Sequence, residues 1–416
     1  VHSLPNTLLF SQDRVHIEGN TLQHLIVEAR DGHERIDRMP RRTMGSVLLA
    51  FAVSRGLVIL LLILGSQIAF IRKEYSNLWR TQASISAGRV LPELSRLAMV
   101  GDAWFYRWIA ISGYESKTPD GAPKNTWAFF PLYPLLIRAL GGGGSRFPII
   151  AMIVSNAALL FALLAVAAAG RTLGLSDEEA ERAAWYIALF PTSYFFSLPM
   201  TESVFLLLSA GAFLAAARER WWASGIAAGL ASATRVIGIC LLPALLLLPY
   251  QRSARLTRRH LWLLLVPMGI AAFVAFLYVR VGDPLAFVHA QTLWGRGSSP
   301  AIDLSRLPKG FVVSKPWNFV ALNVAAGLLM IAAGVSFLIR RQWSFAAYTL
   351  LSVAVPLSSG SVQSLARYAL ADFPMFYWLA IVCRTSARDR AVTTAFVVIL
   401  GWMIALFTLR IDFTLA

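Results

Sequence analysis

The chain is short of charge and shortest of acid. Charged residues make up 14% of its 416 positions, with 22 Asp and Glu against 38 Lys and Arg, while 57% are hydrophobic. Soluble domains carry about 25% charge and are about 45–50% apolar, so a soluble globular fold is excluded. Cysteine is nearly missing. Cys240 and Cys383 both lie in apolar runs, which argues against a disulfide framework and a Cys-based metal site. The six histidines are scattered without metal-ligand spacing. There is no Gly-x-Gly-x-x-Gly after a strand, no His-Glu-x-x-His, no Gly-x-Ser-x-Gly elbow and no Asp-x-Asp pair. The run GGGGS at 141–145 lacks a following Gly-Lys-Ser/Thr, so it is a flexible turn rather than a phosphate loop. No cofactor is expected from this inventory, and a divalent-metal requirement is left open.

What is present is a series of apolar runs long enough to cross a hydrocarbon core of about 30 Å, with a mean hydropathy of +0.61. The expected fold class is an all-α polytopic membrane protein. Spans are expected near 44–71, 146–170, 183–199, 202–217, 261–281, 317–339, 343–358, 366–383 and 391–409. The 222–250 stretch lies between two basic tracts and is read as two short helices, out and back, turning at Thr234-Arg235. That makes about eleven crossings. WAFFPLYPLLIRAL at 127–140, broken by Pro131 and Pro134, is too short to cross and dips into the interface.

Arginine tracts set the expected orientation. The net charge of +16 gathers between spans, at 251–260, at Arg340-Arg341 and from Arg384 to Arg390, as in cytoplasmic loops under the positive-inside rule. A nucleic-acid arm would be longer and free of flanking spans, so no nucleic-acid partner is expected. The acidic run SDEEAE at 176–181 reads as a solvated cytoplasmic loop. Residues 1–43 are polar and aperiodic, a tail that is disordered or, up to residue 38, an upstream extension, since Met39 and Met44 directly precede the first span. Residues 44–416 form the transmembrane domain, with a long first outer loop at 72–127 and a second at 282–316. The N-terminus is expected to be cytoplasmic and the protein to reside in a bacterial cytoplasmic membrane, the arginine richness pointing to a GC-rich genome.

With this topology, polar residues at span ends sort onto one face. Asp102 and Tyr106 (in GDAWFYRW), Glu202 (in PMTES), Arg235 (in SATRVIG), Gln291 and Trp294 (in HAQTLWGR), and Arg367 with Tyr368 (in LARYAL) all fall outside. Ionisable groups at membrane depth face a cavity or a partner, so one extracytoplasmic site is expected. Each residue has a structural alternative. Asp102 could begin an amphipathic surface helix, and Glu202 could cap its helix together with Thr201. Arg235 could satisfy carbonyls of its turn, Arg367-Tyr368 could be an interfacial anchor, and Gln291 and Trp294 could be plain loop residues. Arginines suit phosphate, and aromatics suit sugar rings and prenyl chains. Nucleotide sugars are cytoplasmic, so an outer site points to a lipid-phosphate sugar as donor, with Asp102 as proton acceptor.

These segments resemble the PIG-V group of mannosyltransferases. GDAWFYRWIAISGYE is similar to that family's first-loop acid motif, and AFFPLYPLLIRAL to its Phe-Phe-Pro-x-x-Pro segment. LFPTSYFFSLPMTESVFLLLS, TRVIG, GDPLAFVHAQTLWGR and LARYALADFP resemble its later motifs. Gly101 stands where the family has Trp, and Met200 where it has Tyr. The resemblance implies a GT-C type bundle whose first outer loop bears the catalytic acid. It also implies a polyprenyl-phosphate-mannose donor, inversion at the anomeric carbon, and transfer to a glycan, lipid or protein hydroxyl at the membrane. A lipid or glycolipid transporter (flippase), or an inactive scaffold subunit, is the alternative; no second copy of the first-loop or Phe-Phe-Pro segments gives the paired halves a transporter would have. In sealed cells an impermeant thiol reagent should mark Ser116→Cys and spare Ser253→Cys. The opposite pattern would invert the topology.

Overall fold

The computed structural model describes residues 39–76, 95, 98–116, 124–252, 255–294, 320–360 and 362–408. The expected tail up to residue 38, parts of the expected first outer loop (77–94, 96–97 and 117–123) and the far part of the second (295–316) lie outside the described residues. No strand occurs among the described residues. The helices are α1 (Arg41–Ser76), α2 (Asp102–Ser112), α3 (Leu132–Ile137), α4 (Phe147–Thr172), α5 (Asp177–Leu189), α6 (Glu202–Ala217), α7 (Trp221–Ser232) and α8 (Leu241–Gln251). They are followed by α9 (Met268–Val281), α10 (Ala286–His289), α11 (Val320–Ile339), α12 (Trp343–Leu357), α13 (Leu365–Leu370), α14 (Phe373–Val382) and α15 (Ser386–Thr408). Short 3₁₀ turns fill several of the joints, among them Ser193–Ser197, Val236–Cys240 and Arg258–Leu265.

Among the described residues, five stretches are long and apolar enough to cross a bilayer: Arg41–Gly65, Phe147–Thr172, Arg258–Val281, Val320–Ile339 and Ser386–Thr408. Five shorter apolar helices accompany them. The outer surfaces carry large apolar side chains, with Val279 85% and Val398 64% exposed. A soluble monomer does not tolerate such a surface in bulk, and lipid does. The chain is a multi-pass integral membrane protein.

Several expected spans are not continuous. The one placed at 183–199 ends at Leu189, because Pro191 cannot continue the helix. The chain then makes the buried 3₁₀ turn Ser193–Ser197 before α6. Irregular backbone at membrane depth needs partners within the protein. Arg55 of α1 supplies them: it is 4% exposed and donates to the Ala188 and Ser193 carbonyls at 3.1 and 2.9 Å and to Ser197 Oγ at 2.9 Å. The span expected at 366–383 likewise divides at Ala371-Asp372 into α13 and α14. The stretch 127–140 forms only a short apolar helix, Leu132–Gly142, as its prolines require.

Residues 221–251 do leave and return. Arg252, after α8, donates to the terminal carbonyls Ala217 of α6 (2.7 Å) and Thr172 of α4 (3.0 Å). One end of the bundle thus collects helix C-termini and the cations that suit them. The run 176–181 belongs to this end; Ser176, Asp177 and Glu178 are exposed as expected, but the run starts a helix rather than forming a loop. Ser176 and Glu179 form a reciprocal capping box that starts α5, because a short hydroxyl and a Glu three residues on satisfy two free backbone N–H groups. Glu179 is buried and pairs with Arg384 at 2.7 Å, and Asp177 pairs with Arg171.

Close helix contact in a membrane favours small residues, and α7 shows it. A Cβ on Gly225 would sit 2.1 Å from the Trp262 carbonyl oxygen, and one on Gly229 2.6 Å from that of Leu265. Ser232 Oγ closes the same seam on the Val266 carbonyl at 2.6 Å. Gly225→Ala should therefore cost about 1–3 kcal/mol through overpacking. Gly211→Ala, where a Cβ meets nothing within 4 Å, should not. Thermal melting of the detergent-solubilised variants checks this, and equal melting of the two would contradict so tight a seam.

Candidate functional site

At the end of the bundle opposite Arg252, four helix starts and breaks converge. Asp102 is the first residue of α2, Glu202 the first of α6, Arg235 sits in the break between α7 and α8, and Arg367 lies in α13. Arg367 is the hub. Its Nη1 donates to Asp102 Oδ2 at 2.7 Å, while Nε and Nη2 reach Glu202 Oε1 at 2.8 and 2.6 Å. Arg235 Nη1 stands 3.2 Å from the same Glu202 oxygen. Two carboxylates and two guanidiniums balance in charge, as a largely buried ionic cluster requires.

Aromatic rings frame the cations. Arg367 lies over Phe195 at 4.7 Å and Arg235 over Tyr368 at 5.0 Å, contacts that orient a flat guanidinium and favour Arg over Lys. Tyr106, one turn beyond Asp102, is buried edge-on against Phe129 and Tyr133, with centroids at 5.1 and 5.4 Å.

The backbone explains why these residues arrive here. Gly101 precedes α2 with φ +53° and ψ −124°, a conformation that a side chain strongly disfavours. Glycine at 101 thus sets the entry angle of the helix that carries Asp102. Gly238 is needed for space: a Cβ there would lie 2.5 Å from Ser232 Cα. The 3₁₀ turn can therefore fold back onto the end of α7, leaving Arg235 extended (φ −154°, ψ 144°) at the apex. The Ala233 carbonyl in the same break accepts from Leu132 N–H at 3.1 Å, tying the Phe-Phe-Pro-x-x-Pro segment to it.

A cavity of about 380 Å³ opens on this cluster, within the range of about 300–1,000 Å³ common to small-molecule sites. Asp102, Tyr106, Arg235, Gln291, Arg367 and Tyr368 line it. Phe129, Phe130, Phe287, Val288 and Pro356 give it an apolar wall, and Ser358, Ser359 and Ser364 add hydroxyls. Six of the residues expected at one site are thus together. Arg235 faces Glu202 and the Tyr368 ring rather than merely closing its turn, and Arg367-Tyr368 is part of the cavity wall rather than an interfacial anchor. The side chain of Trp294 lies outside the described residues.

Glu202 departs from expectation. It is 0% exposed and does not line the cavity, so it is neither placed against a substrate there nor a solvent-facing cap, and no side-chain cap is formed by Thr201. Its place is behind the arginines, as their shared counter-ion.

Two further buried polar residues carry no motif signal as strong as those above. Arg55 has a visible signal, a cation in the middle of the apolar run AFAVSRGLVILL. Asp372 lies within LARYALADFP. It is buried, accepts from Thr349 Oγ1 at 3.1 Å through Oδ1, and its Oδ2 has no hydrogen-bond partner. No group of three or more potential metal ligands occurs among the described residues.

No family model matches the chain. No curated protein matches it either. Among solved structures, it is similar to an oligosaccharyltransferase of Archaeoglobus fulgidus tethered to an acceptor peptide containing the NVT sequon. That alignment has a TM-score of 0.39 and 12% identity, and covers 77% of this chain and 54% of the other. The chain thus spans about half the length of that protein, and at this level of likeness the site must be read from its own geometry.

Removing Glu202 tests the electrostatics. Glu202→Gln leaves two guanidiniums against Asp102 alone, and breaking a buried pair costs about 3–5 kcal/mol. A clear drop in melting temperature is expected, and unchanged melting would mean that the cluster is solvated rather than buried.

Proposed function

We propose that the chain is an integral-membrane glycosyltransferase of GT-C type. It moves a mannosyl or related hexosyl unit from a polyprenyl-phosphate sugar to the hydroxyl of a glycan, lipid or protein acceptor, with inversion. The observation that carries this reading is one carboxylate and two guanidiniums at the polar end of a cavity with an aromatic, apolar wall. In this reading about eleven passages, several of them broken helices, carry the chain across the membrane. The Arg252 end is cytoplasmic, and the cavity opens on the opposite face of a bacterial cytoplasmic membrane.

The chemistry follows from the groups. The acceptor oxygen attacks the anomeric carbon, the bond from that carbon to the phosphate oxygen breaks, and the acceptor proton passes to Asp102. Asp102 stands at the N-terminus of α2, pairs with Arg367 and lines the cavity. Charge grows on the departing lipid phosphate, and Arg235 and Arg367 offer forked donors to it. Glu202 holds the two arginines at a common depth. Tyr106, Tyr368, Gln291 and Trp294 orient the sugar and acceptor, and the apolar wall takes the first prenyl units.

Asp102→Asn keeps the size of the side chain and an acceptor for Arg367 but cannot take the proton. Turnover of a radiolabelled polyprenyl-phosphate sugar should fall by about 10²–10⁴, while the donor still binds. Arg235→Lys in the same assay should raise KM for the donor, because a point charge replaces a fork. Near-normal transfer by Asp102→Asn removes Asp102 as the base. If the wild-type protein transfers none of the lipid-linked sugars, a transporter or a silent scaffold takes its place.

A further inference from the structure

The basic end carries two further cavities, apart from the site of the proposed transfer chemistry. One, of about 550 Å³, is lined by Arg255, Arg258 and Arg259, all exposed. Its inner wall is the buried pair Trp221 and His260, whose rings lie 4.2 Å apart. The second, of about 470 Å³, is an apolar groove formed by Leu261, Trp262, Leu264 and Met268. Arg258 lines both.

The local helix type creates this junction. Arg258–Leu265 is a 3₁₀ helix, in which residues i and i+3 stack directly above one another. Arg258, Leu261 and Leu264 therefore form one column, an exposed cation at the head of an exposed apolar stripe. Leu261 is 62% exposed, Leu264 64% and Met268 56%. This stretch opens the least buried of the five long apolar helices, so its outer face meets lipid.

We propose that this column is a binding site for a glycerophospholipid with an anionic headgroup. The phosphate sits among Arg255, Arg258 and Arg259, and an acyl chain runs down Leu261, Leu264 and Met268. Charge complementarity selects the occupant. Three arginines face one acid, Glu219, which accepts from Trp221 Nε1 at 3.1 Å. A zwitterionic headgroup gains little from that excess, and a free phosphate has no use for the groove. Basic residues just outside a span attract anionic lipid, and the continuous groove adds the apolar contact that a bare patch lacks. Because α7 is sealed to this stretch along Gly225 and Gly229, a bound lipid would brace the segment leading to Arg235.

Native mass spectrometry of the full chain, titrated with phosphatidylglycerol or phosphatidylcholine, tests the site. One phosphatidylglycerol should be retained in preference to phosphatidylcholine. Affinity should fall by about fivefold for each arginine removed in Arg258→Gln and Arg259→Gln. Leu264→Asn should weaken binding as well. Arg340→Gln with Arg341→Gln, in another exposed basic tract at the same end, should change nothing. Melting temperatures equal to wild type establish that each variant is folded, and Arg255→Gln serves if one is not. The proposal fails if the two lipids bind alike, or if the Arg340 and Arg341 changes weaken binding as much. It also fails if inorganic phosphate displaces the lipid while Leu264→Asn has no effect.

Discussion

Arg367 is the constraint on which the rest depends. One planar guanidinium joins a carboxylate at the head of α2 to one at the head of α6, at sequence separations of 265 and 165 residues. A charge at this depth is stable only when paired and hydrogen-bonded. The helices bearing Asp102, Glu202 and Arg367 must therefore meet wherever those groups are buried, and Arg235 joins them through Glu202. The same pairing tunes the site. Both arginines are held at the cavity edge, where two guanidiniums face two carboxylates.

Breaks in the helices make such a cluster attainable. An unbroken span satisfies all its own backbone groups and offers a cavity only side chains. Here Pro191, the Ala233–Arg235 break and the Ala371-Asp372 joint interrupt the regular ladder. Arg55 takes the carbonyls near the first and Leu132 N–H binds at the second, while at the third Thr349 Oγ1 donates to the Asp372 side chain. The functional end is thus built from helix termini. The opposite end uses the same polar groups for closure, with Arg252 gathering the last carbonyls of α4 and α6.

Much of the plan was legible in the linear chain. Scarce charge, long apolar runs and clustered arginines define a polytopic helical protein and its basic end, because solvation in lipid acts on each segment separately. The turn at Thr234-Arg235 was legible for the same reason, since 222–250 lies between two basic tracts. Asp102, Arg235 and Arg367 were recognisable as residues too costly to leave in lipid without a purpose.

Other features depended on the tertiary structure. Glu202 looks like a helix-start acid in sequence, and only packing reveals that it is sealed behind two arginines. Arg55 and Asp372 are single polar residues within apolar stretches, whose partners lie on other helices. SDEEAE reads as solvated because its composition is acidic, yet Glu179 is buried against Arg384. The physical reason is range. Burial in lipid is set by neighbours a few residues away, so the amino-acid sequence by itself determines the class and the apolar segments. The breaks within 183–199 and 366–383 emerge only in the structure. Ion pairing between residues more than a hundred positions apart depends on which helix faces meet, and only the packed bundle decides that.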